Sequence, residues 1–493
     1  MTAADIQTSL PLVYTILLAG VVIAVDIALP SRDRLATAIA AIGALVGMVV
    51  VVAVNQNGTQ QAFGGAYVQD DLTSVLDFVF LSTAFLTVLF APDYLKPRSL
   101  PVAEFSATLL FAISGAMLLA GARDLLVLFL GLELLVLPGY LLAGFAKRDG
   151  LATEGAIKYF LLGSFSSAVF LFGLAYVWAS TGSTRVDAVA DALKAVAAGG
   201  PLSPGLAMGL AFLSTGVAFK IAAVPFHYWT PDAYQGSPTP VTGYLSVGPK
   251  VAAFALILRL FVGALAPLKA DWVAAVVILA ALTMTLGNLV ALTQSNIKRM
   301  LAYSSIAHTG YILVGLAAYA IATPGSRAEA HGLEGVVLYS VAYTFMNLGA
   351  FAVVAALQRR PGVTSEIETF SGLGRRAPLV GAVMFLFLIS LTGIPPTAGF
   401  FAKWYVIQAA VEAGGWGSVL AVVAVLNAAA AAFYYLRVVV YMYMRDVPEG
   451  APPLSDGVTM RIGLAVTGIF TAGILFFLTP LLTVVEAAAR ALV

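Results

Sequence analysis

Four ionisable residues stand in apolar strings interrupted by helix breakers. Glu133 lies in Gly131-Leu-Glu-Leu-Leu-Val-Leu-Pro138, and Lys220 precedes Pro225 in Ala218-Phe-Lys-Ile-Ala-Ala-Val-Pro225. Lys250 ends Ser246-Val-Gly-Pro-Lys250, and Lys403 follows Gly393-Ile-Pro-Pro-Thr-Ala-Gly399. A lysine in water, with a pKa of about 10.4, is a poor proton exchanger at neutral pH. Burial disfavours its charged form and a nearby carboxylate favours it, so a Glu–Lys pair of variable separation is a proton switch. With Glu133 close, Lys220 keeps its proton; with Glu133 withdrawn, it releases one toward Lys250 and on to Lys403. Three desolvated lysines in a row suit H⁺ rather than Na⁺ or a sugar.

Further polar residues flank this row. Lys158 lies one helical turn from Glu154, which allows both a local ion pair and a relay. His227 follows Lys220 by about two turns if the helix is continuous; it reads equally as a relay and as a hydrogen-bonded ring at the kink. His308, in Ala302-Tyr-Ser-Ser-Ile-Ala-His308, has the same two readings, whereas His331 falls in a short connection and reads as idle. Arg259 and Arg437 read as side chains that snorkel toward a membrane boundary.

The elements that position these residues follow from composition. Of 493 residues 60% are hydrophobic and 10% charged, against roughly 25% charged in soluble domains, so the chain reads as an all-α polytopic membrane protein. A crossing needs about 20 apolar residues. Gly, Pro and charge punctuate fourteen such spans: 10–29, 35–54, 72–91, 103–121, 124–146, 153–180, 205–235, 239–265, 272–293, 299–321, 333–357, 378–412, 417–444 and 459–486. The polar connections, the longest near 55–71, 181–204, 358–377 and 445–458, are too short for a soluble core. Loops after odd-numbered spans carry fourteen basic residues, among them Arg32, Lys298 and Arg299, against six on the other side. That asymmetry predicts both termini on the external side. Of 26 Lys and Arg, six remain at membrane depth: Lys158, Lys220, Lys250, Arg259, Lys403 and Arg437. Glu133 is the deep carboxylate that stands out.

Prolines at Pro225 and at Pro395-Pro396 predict two broken helices, spans seven and twelve. Unwound backbone at that depth needs protein or water to satisfy it, so each break predicts a hydrated pocket, or else a kink used for packing. The chain also matches itself weakly five spans apart. Gly139-Tyr-Leu-Leu-Ala-Gly144 pairs with Gly310-Tyr-Ile-Leu-Val-Gly315, Tyr159 and Phe165 with Tyr339 and Phe345, and Lys220 with Lys403. An odd-numbered repeat enters the membrane from opposite sides, predicting two inverted five-helix units; chance recurrence of Gly-Tyr-aliphatic strings is the competing reading. The expected organisation is 1–102 as three N-terminal helices, 103–267 and 268–445 as the repeats, and 446–493 as a last helix. Gly43/Gly47 and Gly205/Gly209 are small-residue pairs suited to helix packing.

Other chemistry is excluded or unsupported. Net charge is +1, giving no global field for nucleic acid, and the absence of Cys removes disulfides and cysteine-ligated iron–sulfur clusters. Three His cannot hold a multi-haem array. There is no phosphate loop, dinucleotide fingerprint or H-E-x-x-H zinc helix. The first residues lack the basic stretch of a secretory signal, so the first apolar run is expected to stay in the mature chain.

These strings, together with Ala156-Ile-Lys-Tyr-Phe-Leu-Leu-Gly-Ser-Phe-Ser-Ser-Ala168 and Asn296-Ile-Lys-Arg-Met-Leu-Ala-Tyr-Ser-Ser-Ile-Ala-His308, carry a resemblance over nearly the whole chain. It resembles the subunit N family of the bacterial proton-pumping NADH-quinone oxidoreductase, respiratory complex I. The resemblance implies about fourteen helices, two inverted repeats, and a Glu–Lys switch with connecting and exit-side lysines, falling on Glu133, Lys220, Lys250 and Lys403. It implies Lys158 and His227 near the hydrated axis, no cofactor in this chain, and FMN, iron–sulfur clusters and quinone contacts in sister subunits. The implied partners are other complex I membrane subunits, in the bacterial cytoplasmic (inner) membrane. Gln235 departs from the pattern, standing where many relatives have an acid, and puts a charge role there in doubt. Subunits of multi-subunit Na⁺/H⁺ antiporters and membrane-bound hydrogenases are the nearest alternative, though they usually have a His near the Lys250 string. A non-conducting structural subunit is the other.

Overall fold

The computed structural model describes residues 2–29, 33–198, 200–449, 454 and 457–492; Arg32, counted in the charge balance above, lies outside them. The chain begins with α1 (Ala3–Thr8), α2 (Leu10–Ala28) and α3 (Asp33–Asn55), then a hairpin of β1 (Gln60–Ala62) and β2 (Tyr67–Gln69). There follow α4 (Asp71–Leu95), α5 (Val102–Ala120), α6 (Leu125–Ala143), α7 (Gly150–Thr181) and α8 (Val186–Ala198). Next come α9 (Pro204–Lys220), α10 (Trp229–Gly236) and α11 (Thr239–Ile257), the last running on as a π-helical turn over Leu258–Ala264. The remainder is α12 (Lys269–Ala291), α13 (Ile297–Ile321), α14 (Arg327–Leu357), α15 (Leu373–Arg376), α16 (Pro378–Thr392), α17 (Ala398–Ala413), α18 (Trp416–Met444) and α19 (Val458–Arg490).

Twelve helices among the described residues are long and apolar enough to cross a membrane. Predicted spans seven and twelve are not among them, because each is split: α9 stops at Lys220 and α16 at Thr392. Two connections hold more structure than expected. The segment around 55–71 forms the hairpin, and that around 181–204 forms α8, which packs on the π-helical turn.

Side-chain oxygens start the helices. Asp124, Asp149, Ser203 and Asn296 accept hydrogen bonds from main-chain N–H groups at the starts of α6, α7, α9 and α13, satisfying donors that have no intrahelical partner. The predicted small-residue pairs lie at helix contacts: a Cβ on Gly43 would meet Leu18 Cδ1 at 2.3 Å, and one on Gly209 would meet the Tyr176 Cβ at 2.7 Å.

Polarity is arranged inside out. The most apolar stretches of α11 and α14 are completely buried, whereas only 22% of that of α19 is. α14 packs on α11, α13 and α17. Through these helices the ionisable side chains face the middle of the bundle, as expected where the outer solvent is hydrocarbon.

Candidate functional site

Lys220 is the last residue of α9. The chain leaves the helix through Ala222, which has a φ of 56°. Protein groups take up the freed backbone at this break. The Thr309 hydroxyl donates to the Ile221 carbonyl at 2.8 Å, Val224 N–H donates to Thr283 Oγ1 at 3.0 Å, and Trp229 Nε1–H donates to the Phe219 carbonyl at 3.2 Å. Hydroxyls from α12 and α13 thus satisfy part of the backbone freed at the break.

The Lys220 ammonium, 8% exposed, donates to Ser167 Oγ at 2.9 Å and to the Gly163 carbonyl at 3.5 Å. Glu133, on α6, makes no ion pair with it among the described residues. Its Oε1 is buried without a hydrogen-bond partner, as is the Tyr140 hydroxyl two turns along the same helix. Tyr140 packs where a Cβ on Gly163 would stand 2.2 Å from its oxygen. The carboxylate therefore acts on Lys220 through space, not by contact.

Lys250, 3% exposed on α11, donates to the Ser305 hydroxyl at 2.5 Å and also to the Ser305 carbonyl; its ammonium lies 5.7 Å from the centre of the Tyr343 ring. One turn beyond Ser305 on α13 is His308. Its Nδ1 shares a 2.6 Å hydrogen bond with the Tyr339 hydroxyl, and its Nε2 lies 3.3 Å from the Tyr435 hydroxyl, which is also bonded to Ser304. The rings of Tyr343 and Tyr311 flank it at 5.0 and 5.9 Å. Lys403, on α17, stands 4.6 Å over the Tyr311 ring and donates to the carbonyls of Leu391 (2.9 Å) and Thr392 (2.8 Å). His308 thus packs against the Tyr343 ring that Lys250 faces and the Tyr311 ring that Lys403 faces.

Other predicted residues lie elsewhere. Lys158 forms its expected ion pair with Glu154 at 2.6 Å and a second with Asp232 at 2.7 Å, with its side chain 41% exposed. Asp232 also pairs with Arg299 at 2.7 Å, and Arg299 donates to Gln235 Oε1 at 2.9 Å. At position 235 an amide thus receives an arginine without carrying a charge. His227 does not share a helical face with Lys220, because the helix ends between them; it is buried, stacks on Tyr228 at 4.7 Å, and leaves Nδ1 unpartnered. His331, expected in a short connection, lies within α14, where its Nδ1 is 2.7 Å from Glu412 Oε2 and Arg327 Nε–H donates to its Nε2 at 3.3 Å.

Three expectations are corrected. Arg259 does not snorkel. It is 2% exposed and forks Asp70 at 2.8 and 2.7 Å, while also donating to Thr73 Oγ1 and the Ala120 carbonyl. Lys298, assigned to a loop, is 3% exposed and donates to the carbonyls of Gln235 (2.9 Å) and Ser237 (2.5 Å), closing the end of α10. Glu133 is not the single deep carboxylate either, because Asp77 on α4 is completely buried. Arg437 does approach a helix end, donating to the carbonyls of Leu292 and Gln294. Sequence reasoning also missed Ser167, Ser305, Tyr339 and Tyr435, whose types carry no signal until α7, α13, α14 and α18 bring them beside the lysines. No group of His, Asp or Glu among the described residues is arranged to hold a metal ion.

A bundle with two broken helices and a buried lysine on each defines an antiporter-like membrane subunit, and comparison with known proteins narrows the class. Residues 122–427 match the family described as NADH:quinone oxidoreductase/Mrp antiporter, TM. The chain is 40% identical over 481 residues to the NADH-quinone oxidoreductase subunit N of Trichlorobacter lovleyi, with 96% of each covered. It belongs to the NADH-quinone oxidoreductase subunit N family. It is similar to a chain of respiratory complex I from Thermus thermophilus with bound aureothin, at 30% identity and a TM-score of 0.78, covering 97% of this chain and 99% of that one. A chain of the Mrp complex from Dietzia sp. DQ12-45-1b matches at 21% identity and a TM-score of 0.85, covering 100% and 98%, a likeness of fold alone.

Proposed function

We propose that this chain is a proton-translocating membrane subunit of an NADH-quinone oxidoreductase, moving H⁺ along its buried lysine row while quinone is reduced in sister subunits. The observation that supports this reading is the line from Lys250 through Ser305, His308 and Tyr339 to the Tyr311 ring under Lys403, enclosed by α11, α13, α14 and α17. Hydroxyls and an imidazole each donate and accept, so the polar groups standing between the two lysines are of types able to pass protons. The Glu133 carboxylate, with one oxygen unpartnered, is the charge whose distance from Lys220 would set whether that lysine keeps its proton.

In this reading Lys220 is the switched group, Lys250 the connector and Lys403 the exit-side lysine; His308 relays between the last two. Lys158, paired twice and partly exposed, and His227, at the break, belong to the entry region. Each split helix crosses once, giving fourteen crossings with both termini external. Residues 103–267 and 268–445 form the inverted repeats. FMN, iron–sulfur clusters and most quinone contacts belong to sister subunits, and other complex I membrane subunits flank this one in the inner membrane.

The experiment is proton uptake into liposomes set against NADH-quinone electron transfer, for the intact complex carrying Lys250→Ala. A fall in both with assembly preserved is the expected result. Unchanged H⁺ per electron would instead assign the chain a structural role.

A further inference from the structure

Outside the lysine row, one buried acid is unaccounted for. Asp77 lies six residues into α4, about 9 Å along the helix from Asp71. It is completely buried, and neither carboxyl oxygen has a hydrogen-bond partner. The side-chain amide of Gln69 approaches it without completing a bond, and Asp70, Arg259 and Tyr67 are the other titratable or charged groups that act on it. Arg259 is already committed to Asp70 through both terminal guanidinium nitrogens, and its Nε–H to the Ala120 carbonyl. An isolated ionised carboxylate at such a place is expensive, and a carboxylic acid is the form that avoids the cost.

A hydrogen-bonded polar network lies beside Asp77. Ser74, one turn earlier on α4, accepts from Gln69 Nε2 at 3.0 Å and donates to Asn55 Oδ1 at 2.8 Å; Asn55 Nδ2 donates to Asp71 Oδ1 at 3.1 Å. Asn55, Asp71 and Ser74 line the polar end of an otherwise apolar groove of about 770 Å³ beside α3, α4 and α19. We propose that Asp77 is a proton-binding site separate from the lysine row, exchanging its proton with water at the polar end of this groove. On losing its proton Asp77 would present a second anion to Arg259. That arginine sits on the π-helical continuation of α11, so the element holding the end of the Lys250 helix is the one that would register the change.

The test is infrared difference spectroscopy on the intact complex in lipid at neutral pH, comparing wild type with Asp77→Asn. The expected result is a protonated-carboxyl C=O band in wild type that shifts in D₂O and is missing from the variant. Identical spectra, or a band that does not move in D₂O, would overturn the proposal, since the carboxyl would then be ionised or sealed. Should the variant fail to assemble, wild-type complex with ¹³C-labelled aspartate decides the matter: a protonated aspartyl band that shifts with the label and with D₂O is expected, and its absence would overturn the site.

Discussion

Lys403 and Thr392 join the two halves of a broken helix: the ammonium on α17 donates to the Thr392 carbonyl, at the end of α16, at 2.8 Å. A cation at a helix C-terminus meets the negative end of its dipole, so the Lys403 ammonium holds the break closed. Lys403→Met should lower proton translocation and electron transfer together while leaving the complex assembled. Lys403→Arg, which keeps the cation but cannot deprotonate in a protein, should retain the fold and still fail to pump. Proton uptake per NADH oxidised, with a native gel for assembly, checks both.

The second break depends on close backbone approach. A Cβ on Gly399 would lie 1.8 Å from the Ser390 carbonyl oxygen, and Gly399 N–H donates to Ser390 Oγ at 3.0 Å. Gly399→Ala should therefore displace α17 from α16 and cost about 1–3 kcal/mol. A lower melting temperature of the purified complex is the readout, with Gly58→Ala, where a Cβ meets nothing within 4 Å but φ is +72°, giving a smaller local effect.

Asp70 and Arg259 tie the N-terminal helices to the end of the Lys250 helix. Both are almost fully buried, with side chains 4% and 2% exposed. Removing one partner leaves the other charge buried and alone, a loss of about 3–5 kcal/mol. Asp70→Ala and Arg259→Leu should each impair assembly strongly, and the double variant should be less damaged than the sum of the two. Additive losses in a melting series would contradict this.

On the surface, the Arg185 guanidinium hydrogen-bonds Asp187 and holds its carboxyl below the usual carboxylate range. The same arginine donates to the Gly64 carbonyl at 2.5 Å, bracing the hairpin. A depressed carboxyl contributes stability above its unfolded value, near pH 4, and loses it as pH falls through the folded value. The pair is exposed, so about 0.2–1 kcal/mol is at stake. Hydrogen exchange at the start of α8 and around Gly64, taken relative to the intrinsic rate of unprotected amides at each pH, should quicken as pH drops below about 4 in wild type. In Asp187→Asn it should be quicker at neutral pH with that step gone.

The lysine row was legible because each member is an isolated charge in an apolar run beside Pro or Gly, a pattern that hydrocarbon tolerates only in a protein interior. Asp77 and Lys298 were not. Asp77 follows Asp70 and Asp71, and Lys298 precedes Arg299, so both look like the charged ends of spans, and only packing against α11 and α10 buries them. Arg259 failed for a related reason: its partner Asp70 is 189 positions away, and snorkelling is the local answer when no partner is visible. Tyr339 and Tyr435 reach His308 from two other helices, a convergence set by tertiary packing that no spacing in α13 announces. The shared face expected for Lys220 and His227 assumed a helix that the left-handed Ala222 interrupts.

The central claim is that the buried lysines carry the protons, and the most direct test is H⁺ translocated per electron by the reconstituted complex with Lys220→Ala, assembly verified on a native gel. The account predicts that pumping and NADH-quinone electron transfer fall together. An assembled variant with wild-type electron transfer and an unchanged H⁺ per electron would contradict it and move proton transfer to neighbouring subunits.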